Sequence, residues 1–546
     1  MKKLKTPIFI LSLGLVGSCL TGCKFTDWVK GLFNKNKESQ KEALVIPAVD
    51  VTSLQINLPN LPTRNVGAIR SDDSFEYIDL YEFSDFHGAV HYESHTDDDY
   101  AGLARLATYM NGKRDLNPGG TLLLSAGDMF QGSAESNLTR GYMVNYAMHY
   151  MGFDAMAVGN HEFDWNTDWL KKNAELKYND HSIPFLGANI KKDGEIPSYL
   201  KKSTIVTRGD YKIGIIGVMG SDLESSVLKS ALDGCEFVPY TDIVTAESTR
   251  LKNEEGCQAV VLLAHQDALH IETTNGIEAV FGGHAHKDRN ATYSGVPSLA
   301  TANYGQSVAH IALKFNKQTK AFVGIDTAAV EAMKGIAANL SENVDINSII
   351  DQYAPEINKI KNIKLGTADA ELKIDGALIN ICTESMFNVA TNFVKENNST
   401  IDSSKIVASF HNAGGGIRVD IAAGEITYGN VYKSFPFDNE IVLFSMTGSE
   451  AKTKLRLLKD IGCYRLFDGP DYFVDNETYY FVTTDYLAFS EKAMGKIREL
   501  TDEDLIRTGK IVRDEVANSI YQIDKLKNEE LVHSGDYHYK KIPMMF

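Results

Sequence analysis

Ala155-Met156-Ala157-Val158-Gly159-Asn160-His161-Glu162-Phe163-Asp164 is the stretch that decides how this chain is read. An apolar run of strand length stops at a glycine, and polar groups follow at once. Asn160 offers a metal a neutral oxygen. His161 can pass a proton or hold a phosphoryl oxygen, and Asp164 is close enough in sequence to orient that imidazole. Read alone, the stretch also fits a helix N-terminus, with Asn160 as the cap and Glu162 and Asp164 in the first turn. Four more stretches of the same construction decide between the two.

Tyr77-Ile78-Asp79-Leu80-Tyr81 leads to Ser84-Asp85-Phe86-His87-Gly88, and Leu122-Leu123-Leu124 leads to Gly127-Asp128-Met129-Phe130-Gln131-Gly132. Ala259-Val260-Val261-Leu262-Leu263 leads to Ala264-His265-Gln266-Asp267, and Ala279-Val280-Phe281 to Gly282-Gly283-His284-Ala285-His286. Two further apolar runs, Pro184 to Leu186 and Lys212 to Val218, bring no such cluster and complete the core. In layered α/β folds ligands collect beyond the carboxyl ends of the strands. Five strand ends that each deliver Asp, His or Asn supply what divalent ions need: carboxylate, neutral imidazole and amide oxygen. One ion can take Asp85, His87 and His286 and the other Asn160, His265 and His284, with Asp128 bridging. A bridging carboxylate holds two metals roughly 3.5–4 Å apart, close enough to share a hydroxide that is nucleophilic at neutral pH. Two ions, two carboxylates and the hydroxide leave a local charge of about +1, which draws a phosphate. His91 and His95 lie in an acid-rich polar loop, and His149, His181, His270, His310 and His411 lack the strand-end context.

That local charge matters because the chain as a whole is acidic, with a formal net charge of −17 over 546 residues. The charge argues against a nucleic-acid polymer as partner, and the length predicts two folded domains. With 43% apolar and 23% charged residues the composition is that of a globular protein. Lys2, Lys3 and Lys5 followed by the apolar Pro7 to Gly17 read as a signal peptide. It ends in Leu20-Thr21-Gly22-Cys23, which resembles a bacterial lipobox, so Cys23 is expected to carry a lipid and to hold the protein on a membrane surface. Loss of the three lysines takes the chain from −17 to −20. Residues 24–71, with three prolines and little periodicity, read as a tether. Four cysteines remain, without C-x-x-C spacing. Cys235 is expected to pair with Cys257 and Cys382 with Cys463, each pair within one domain, with buried free thiols as the alternative. Ile346, Ile349, Ile350, Tyr353, Ile357 and Ile360 have helical spacing and predict a bridge between the domains.

The ordered set D-x-H, G-D, G-N-H-E, a lone His and G-H-A-H resembles the calcineurin-like dinuclear metallophosphoesterases. The completed N-H-E-F-D is similar to their 5′-nucleotidase and UDP-sugar hydrolase branch. The resemblance implies an α/β fold: a four-layer β-sandwich flanked by helices, a linker helix and a second, smaller α/β domain. The expected division is a signal peptide over 1–22, a tether over 23–71, a metallophosphoesterase domain over 72–335, a linker helix over 336–364 and a substrate-binding domain over 365–546. By the same resemblance His161 and Asp164 form the catalytic dyad, and the cofactors are two divalent ions (Zn, Mn, Mg or Co).

In the second domain Asn412 through Arg418 is similar to the family's N-x-G-G-I-R turn, where Gly415 lets backbone approach the ligand and Arg418 grips an anion. Pro436-Phe437-Asp438-Asn439 is similar to its P-F-x-N motif, with Phe437 and Tyr486 expected on the two sides of the base. Three departures stand against this part: one extra residue between Asn412 and Arg418, Ser490-Glu491-Lys492-Ala493-Met494 where G-G-D-G-[YF] is expected, and an Asn380 to Asn388 element that is one residue short and lacks its upstream arginine. The implied function is hydrolysis of nucleotide phosphate esters at an exported, membrane-tethered site. The alternatives are a 2′,3′-cyclic-nucleotide phosphodiesterase and a surface lipoprotein that captures nucleotides without turnover. Oligomeric state is open.

Overall fold

The computed structural model describes residues 41–96, 98–227, 229–397, 400–413, 415–460, 463–467, 473–489 and 500–527. Two six-stranded sheets lie face to face. One has the order Phe322–Ala332, Ser307–Asn316, Phe75–Glu82, Thr121–Ser125, Ala155–Ala157, Phe185–Leu186. The other runs Arg289–Tyr293, Val296–Ala300, Ala279–Gly282, Ala259–His265, Tyr211–Met219, Ser203–Arg208. The strands read as continuous apolar runs because both faces are covered. Ile78, Leu80, Leu122, Leu124, Val261 and Leu263 point into the core between the sheets. Their neighbours Tyr81, Leu123 and Met156 pack outward under the helices Gly102–Leu116 and Tyr142–Met151, while Val260 and Leu262 pack under Thr241–Asn253. Helix, sheet, sheet, helix is the four-layer architecture the motifs imply. The Phe75–Glu82, Thr121–Ser125 and Ala155–Ala157 strands are parallel, as are Tyr211–Met219, Ala259–His265 and Ala279–Gly282, so the carboxyl ends within each set gather at one edge.

The predicted bridge is the helix Val344–Lys361, started by the Asn343 side chain, which accepts from the Asp345 and Ile346 N–H groups. Its stripe Ile346, Ile349, Ile350, Tyr353 and Ile357 packs into the first core, and Ile360 into the second. Beyond it a five-stranded sheet has the order Cys463–Phe467, Ile406–Asn412, Thr478–Thr484, Glu440–Thr447, Ile506–Ile511. Helices Ile379–Asn397 and Val512–Ile523 pack on one face, and Gly448–Asp460 and Asp485–Phe489 on the other.

Two expectations need correction. From Lys41 onward the tether is a strap laid on the folded body. Leu44, Ile46 and Val49 pack on the second domain's core, Val51 is buried, and Leu54, Ile56, Leu58 and Leu61 pack on the first. Lys41 Nζ donates to the Tyr521 carbonyl at 2.8 Å, Asn57 exchanges two hydrogen bonds with Gln352 of the bridging helix, and Pro59 accepts from the Tyr178 hydroxyl. Residues 1–40, which include Cys23 and the expected signal peptide, lie outside the described residues. The second correction concerns the cysteines, since Cys235, Cys257 and Cys382 are free, buried thiols. Cys235 packs outside the first sheet and Cys257 outside the second, with the inter-sheet core between them. Sharing a domain therefore does not bring the two together. Cys382 has Met386 Sδ beside it at 3.8 Å, and the Cys463 side chain lies outside what is described.

Candidate active site

All seven proposed metal ligands meet at the gathered strand ends. Asp85, His87, Asp128, His284 and His286 hold left-handed backbone, with φ of 50°, 48°, 54°, 67° and 54°. Such angles are uncommon for side-chain-bearing residues and cluster where a site over-determines the chain. Glycines make the room: a Cβ on Gly159 would stand 2.2 Å from Asp128 Oδ1, and one on Gly283 would stand 3.1 Å from Asp85 Oδ2.

Two donor groups result, Asp85 with His87 and His286, and Asp128 with His265 and His284. Asn160 belongs with the second, its Oδ1 lying 3.0 Å from both His265 Nε2 and His284 Nδ1. The His87 and His265 Nδ1 atoms each lie 2.8 Å from a carbonyl, of Gln131 and Ala126 respectively. A carbonyl only accepts, so both rings keep a proton on Nδ1 and present Nε2 inward. His265 Nε2 then faces two acceptors, Asn160 Oδ1 and, at 3.1 Å, Asp128 Oδ2. Asp128 Oδ2 is buried and accepts no hydrogen bond among the described residues. A cluster of acceptors around a buried carboxylate oxygen whose one close partner among the described residues is His265 suits a cation.

The electrostatics agree. Burial, with His161 and His286 nearby, holds His87 well below the usual imidazole range, and burial takes His284 and His286 down to about 4. These rings are neutral at pH 7, the form that ligates metals. Burial also pushes Asp85 up, and Asp128 adds to the effect. At His265 burial opposes charge but Asp128 outweighs it, raising the imidazole to about 9. The centre draws positive charge to its middle.

Beside it the His161 Nδ1–H donates to Asp164 Oδ2 at 2.9 Å, and the His161 backbone N–H donates to Asp128 Oδ1 at 2.8 Å. Burial works against the His161 charge, but Asp164 and Asp128 raise it to about 9. The short turn Asn160–Phe163 also carries the helix-terminus role, because Glu162 Oε2 accepts from the Gly159 N–H. Glu162 does more than the sequence reading assigned to it. It also accepts from the Asp128 and Met129 N–H groups at 2.8 Å each, clamping two strand-end loops together. Its place inside N-H-E-F-D was the available signal. His91 and His95 are exposed beside Glu135 and Glu93, and His310 is bonded to Asp79.

The second domain closes over this edge. A cavity of about 340 Å³ is lined by Asn160, His161, Asp164 and His284 from one side and by Asn412, Gly415, Arg418, Phe437 and Tyr486 from the other. The Phe437 ring stacks on His161, with centroids 6.1 Å apart, and Arg418 lies 5.0 Å from the Phe437 centroid. Gly416 needs to be glycine, since a Cβ there would stand 2.4 Å from Asn412 Oδ1. The departure at Ser490 to Met494 falls outside the described residues, and Asn380 to Asn388 lies within the helix Ile379–Asn397.

Sequence reasoning missed the groups that hold the Pro436-Phe437-Asp438 turn. The Pro436 carbonyl accepts from Gln131 and Asn137 of the first domain at 3.3 and 2.9 Å. Arg513, buried on the helix Val512–Ile523, reaches the Phe435, Pro436 and Phe437 carbonyls and pairs with Asp438. Gln131, inside G-D-M-F-Q-G, was within reach of the motif. Arg513, more than seventy positions from the turn, was not.

Comparison with known proteins agrees with this architecture. Residues 80–288 match the calcineurin-like phosphoesterase family, and residues 356–461 match the 5′-nucleotidase C-terminal domain. The chain is 28% identical over 404 residues to the trifunctional nucleotide phosphoesterase YfkN of Bacillus subtilis, covering 66% of this chain but only 27% of that much longer protein. It is 24% identical to a probable 5′-nucleotidase of Treponema pallidum, covering 64% of this chain and 68% of the relative. The solved 5′-nucleotidase precursor of Thermus thermophilus shares the fold with a TM-score of 0.63 at 18% identity, covering 82% of this chain and 97% of that one. The chain thus carries a calcineurin-like phosphoesterase domain followed by a 5′-nucleotidase C-terminal domain, and it is a metal-dependent phosphohydrolase of that kind.

Proposed function

We propose that the protein is an exported, lipid-anchored, metal-dependent phosphohydrolase that releases phosphate from nucleotides, nucleoside 5′-monophosphates first among them. The observation that carries this reading is the shared cavity in which Arg418, Phe437 and Tyr486 face His161, Asn160 and His284. The names of the relatives, a nucleotide phosphoesterase and a 5′-nucleotidase, support it. In this reading Asp85, His87 and His286 would hold one divalent ion and Asn160, His265 and His284 the other, with Asp128 available to both. The ions supply Lewis-acid charge and a water that is nucleophilic at neutral pH. The chain's own residues do the rest. Asp164 fixes the His161 ring through Nδ1, leaving Nε2 to donate to a phosphoryl oxygen as negative charge builds there. Arg418 takes the substrate anion, Asn412 and Gly415 border it, and Phe437 and Tyr486 flank the base. Residues 72–335 thus carry the chemistry and 365–546 the recognition, while Cys23 carries the lipid.

The test is phosphate release by the full chain from AMP, UDP-glucose and 2′,3′-cyclic AMP, before and after chelation and reloading with Zn²⁺, Mn²⁺ or Mg²⁺. Turnover of AMP that chelation abolishes and metal restores is expected. AMP turnover undiminished by chelation or by Asp128→Ala would refute the reading. For the anchor, Cys23→Ser is expected to move the protein from the membrane to the soluble fraction.

A further inference from the structure

The turn that carries Phe437 is stiff within its own domain, because Arg513 spans three of its carbonyls and pairs with Asp438. A stiff turn still has to be set against the other domain. Pro436 does this through its carbonyl, bonded to Gln131 in the loop that follows Asp128 and to Asn137 in the short helix Ala134–Leu138 beyond it. On the other side of Phe437, Asp438 Oδ2 receives Arg140 Nη1 at 3.1 Å. Arg140 also reaches the residue that follows the dyad, its guanidinium lying 5.6 Å from the ring of Trp165. Asp438 and Trp165 both line the cavity. Asp438 thus answers to one arginine from each domain, and the aromatic ring that stacks on His161 is held between a neutral tie and an ionic one.

We infer that Arg140 is a positioning residue: its ion pair with Asp438 registers the base-binding turn against the His161–Asp164 dyad. This rests on the nucleotide-hydrolase reading. A phosphate ester without a base gives the Phe437 turn nothing to hold, whereas a nucleotide needs that turn in register with the dyad. Arg140 therefore governs how well a nucleotide is held and leaves the handling of the phosphoryl group alone. Arg140 is the member to change, because Asp438 also neutralises the buried Arg513, whose loss of a partner would destabilise the second domain.

The experiment compares AMP with p-nitrophenyl phosphate in the metal-loaded full chain carrying Arg140→Gln, Arg140→Met or Arg140→Lys. Met removes the charge but keeps an unbranched side chain, and Lys keeps the charge. For Gln and Met, KM for AMP is expected to rise roughly ten-fold with kcat within about two-fold. The kcat/KM for p-nitrophenyl phosphate should be unchanged, and Lys should recover most of the loss. A parallel fall on both substrates, or an unchanged KM for AMP, overturns the inference. If the unaltered protein hydrolyses p-nitrophenyl phosphate but not AMP, the nucleotide reading falls first, and the inference falls with it.

Discussion

The two halves of the site are built in opposite ways. The first domain's groups stand at the ends of parallel strands, with Asp85, Asp128 and His265 fully buried and five of the seven proposed ligands in left-handed backbone. Of the second domain's groups, Gly415, Arg418 and Phe437 ride on turns, and Tyr486, on the helix Asp485–Phe489, remains 38% exposed. A rigid sandwich can hold polar groups in strained positions because its covered sheets fix the strand ends. A turn cannot, so the second half borrows rigidity from Arg513 and from bonds across to the first. The contrast separates a pole that must be geometrically strict from one whose alignment is set by ties.

Three measurements press on that contrast. His161→Ala strikes the strict pole and should lower kcat by about 10²–10⁴-fold on AMP and p-nitrophenyl phosphate alike, with little change in KM. A loss confined to AMP would place His161 in recognition instead. Next comes the sandwich that supports the pole. Asp79, buried, accepts from Arg70 and Asn117 and pairs with His310. Burial alone would raise its pKa, but His310 and Arg70 hold it below the usual carboxylate value. A lowered folded pKa contributes stability that is full above the unfolded value and is lost as pH falls through the folded one. Asp79→Ala should therefore cost about 3 kcal/mol in urea unfolding at pH 7. The gap to the unaltered protein should shrink only below about pH 4. The smallest effect is expected at the tied pole, where Phe437→Ala should raise KM for AMP in line with a loss of about 1–3 kcal/mol of stacking. An equal fall on p-nitrophenyl phosphate would mean that the ring serves His161 more than the base.

The first pole was legible because a candidate metal ligand shows itself by residue type at a strand end, and five such ends occur in order. What no reading of residue types could supply was the backbone twist at Asp85 or His284, which depends on glycine neighbours and on sheet edges. Glu162 was visible but undervalued, since its three backbone partners come from two loops. The strap was hidden by its prolines, although Leu54, Ile56 and Leu58 alternate as a chain lying on an apolar surface would. The cysteine pairing failed because domain membership says nothing about which layer a side chain enters. Arg513 lies too far along the chain from its turn for spacing to reveal it.

Under the proposed anchor, the strap would also set where mechanical load enters the molecule. Lys41 is bonded at Tyr521 and Asp524, at the far end of the helix whose first turn carries Arg513. Gln522 and Asn518 hold the strap beside it. A pull on the leading segment would thus be felt first along the axis that steadies the Phe437 turn, and by the first domain's sandwich only after the strap had peeled past Val51.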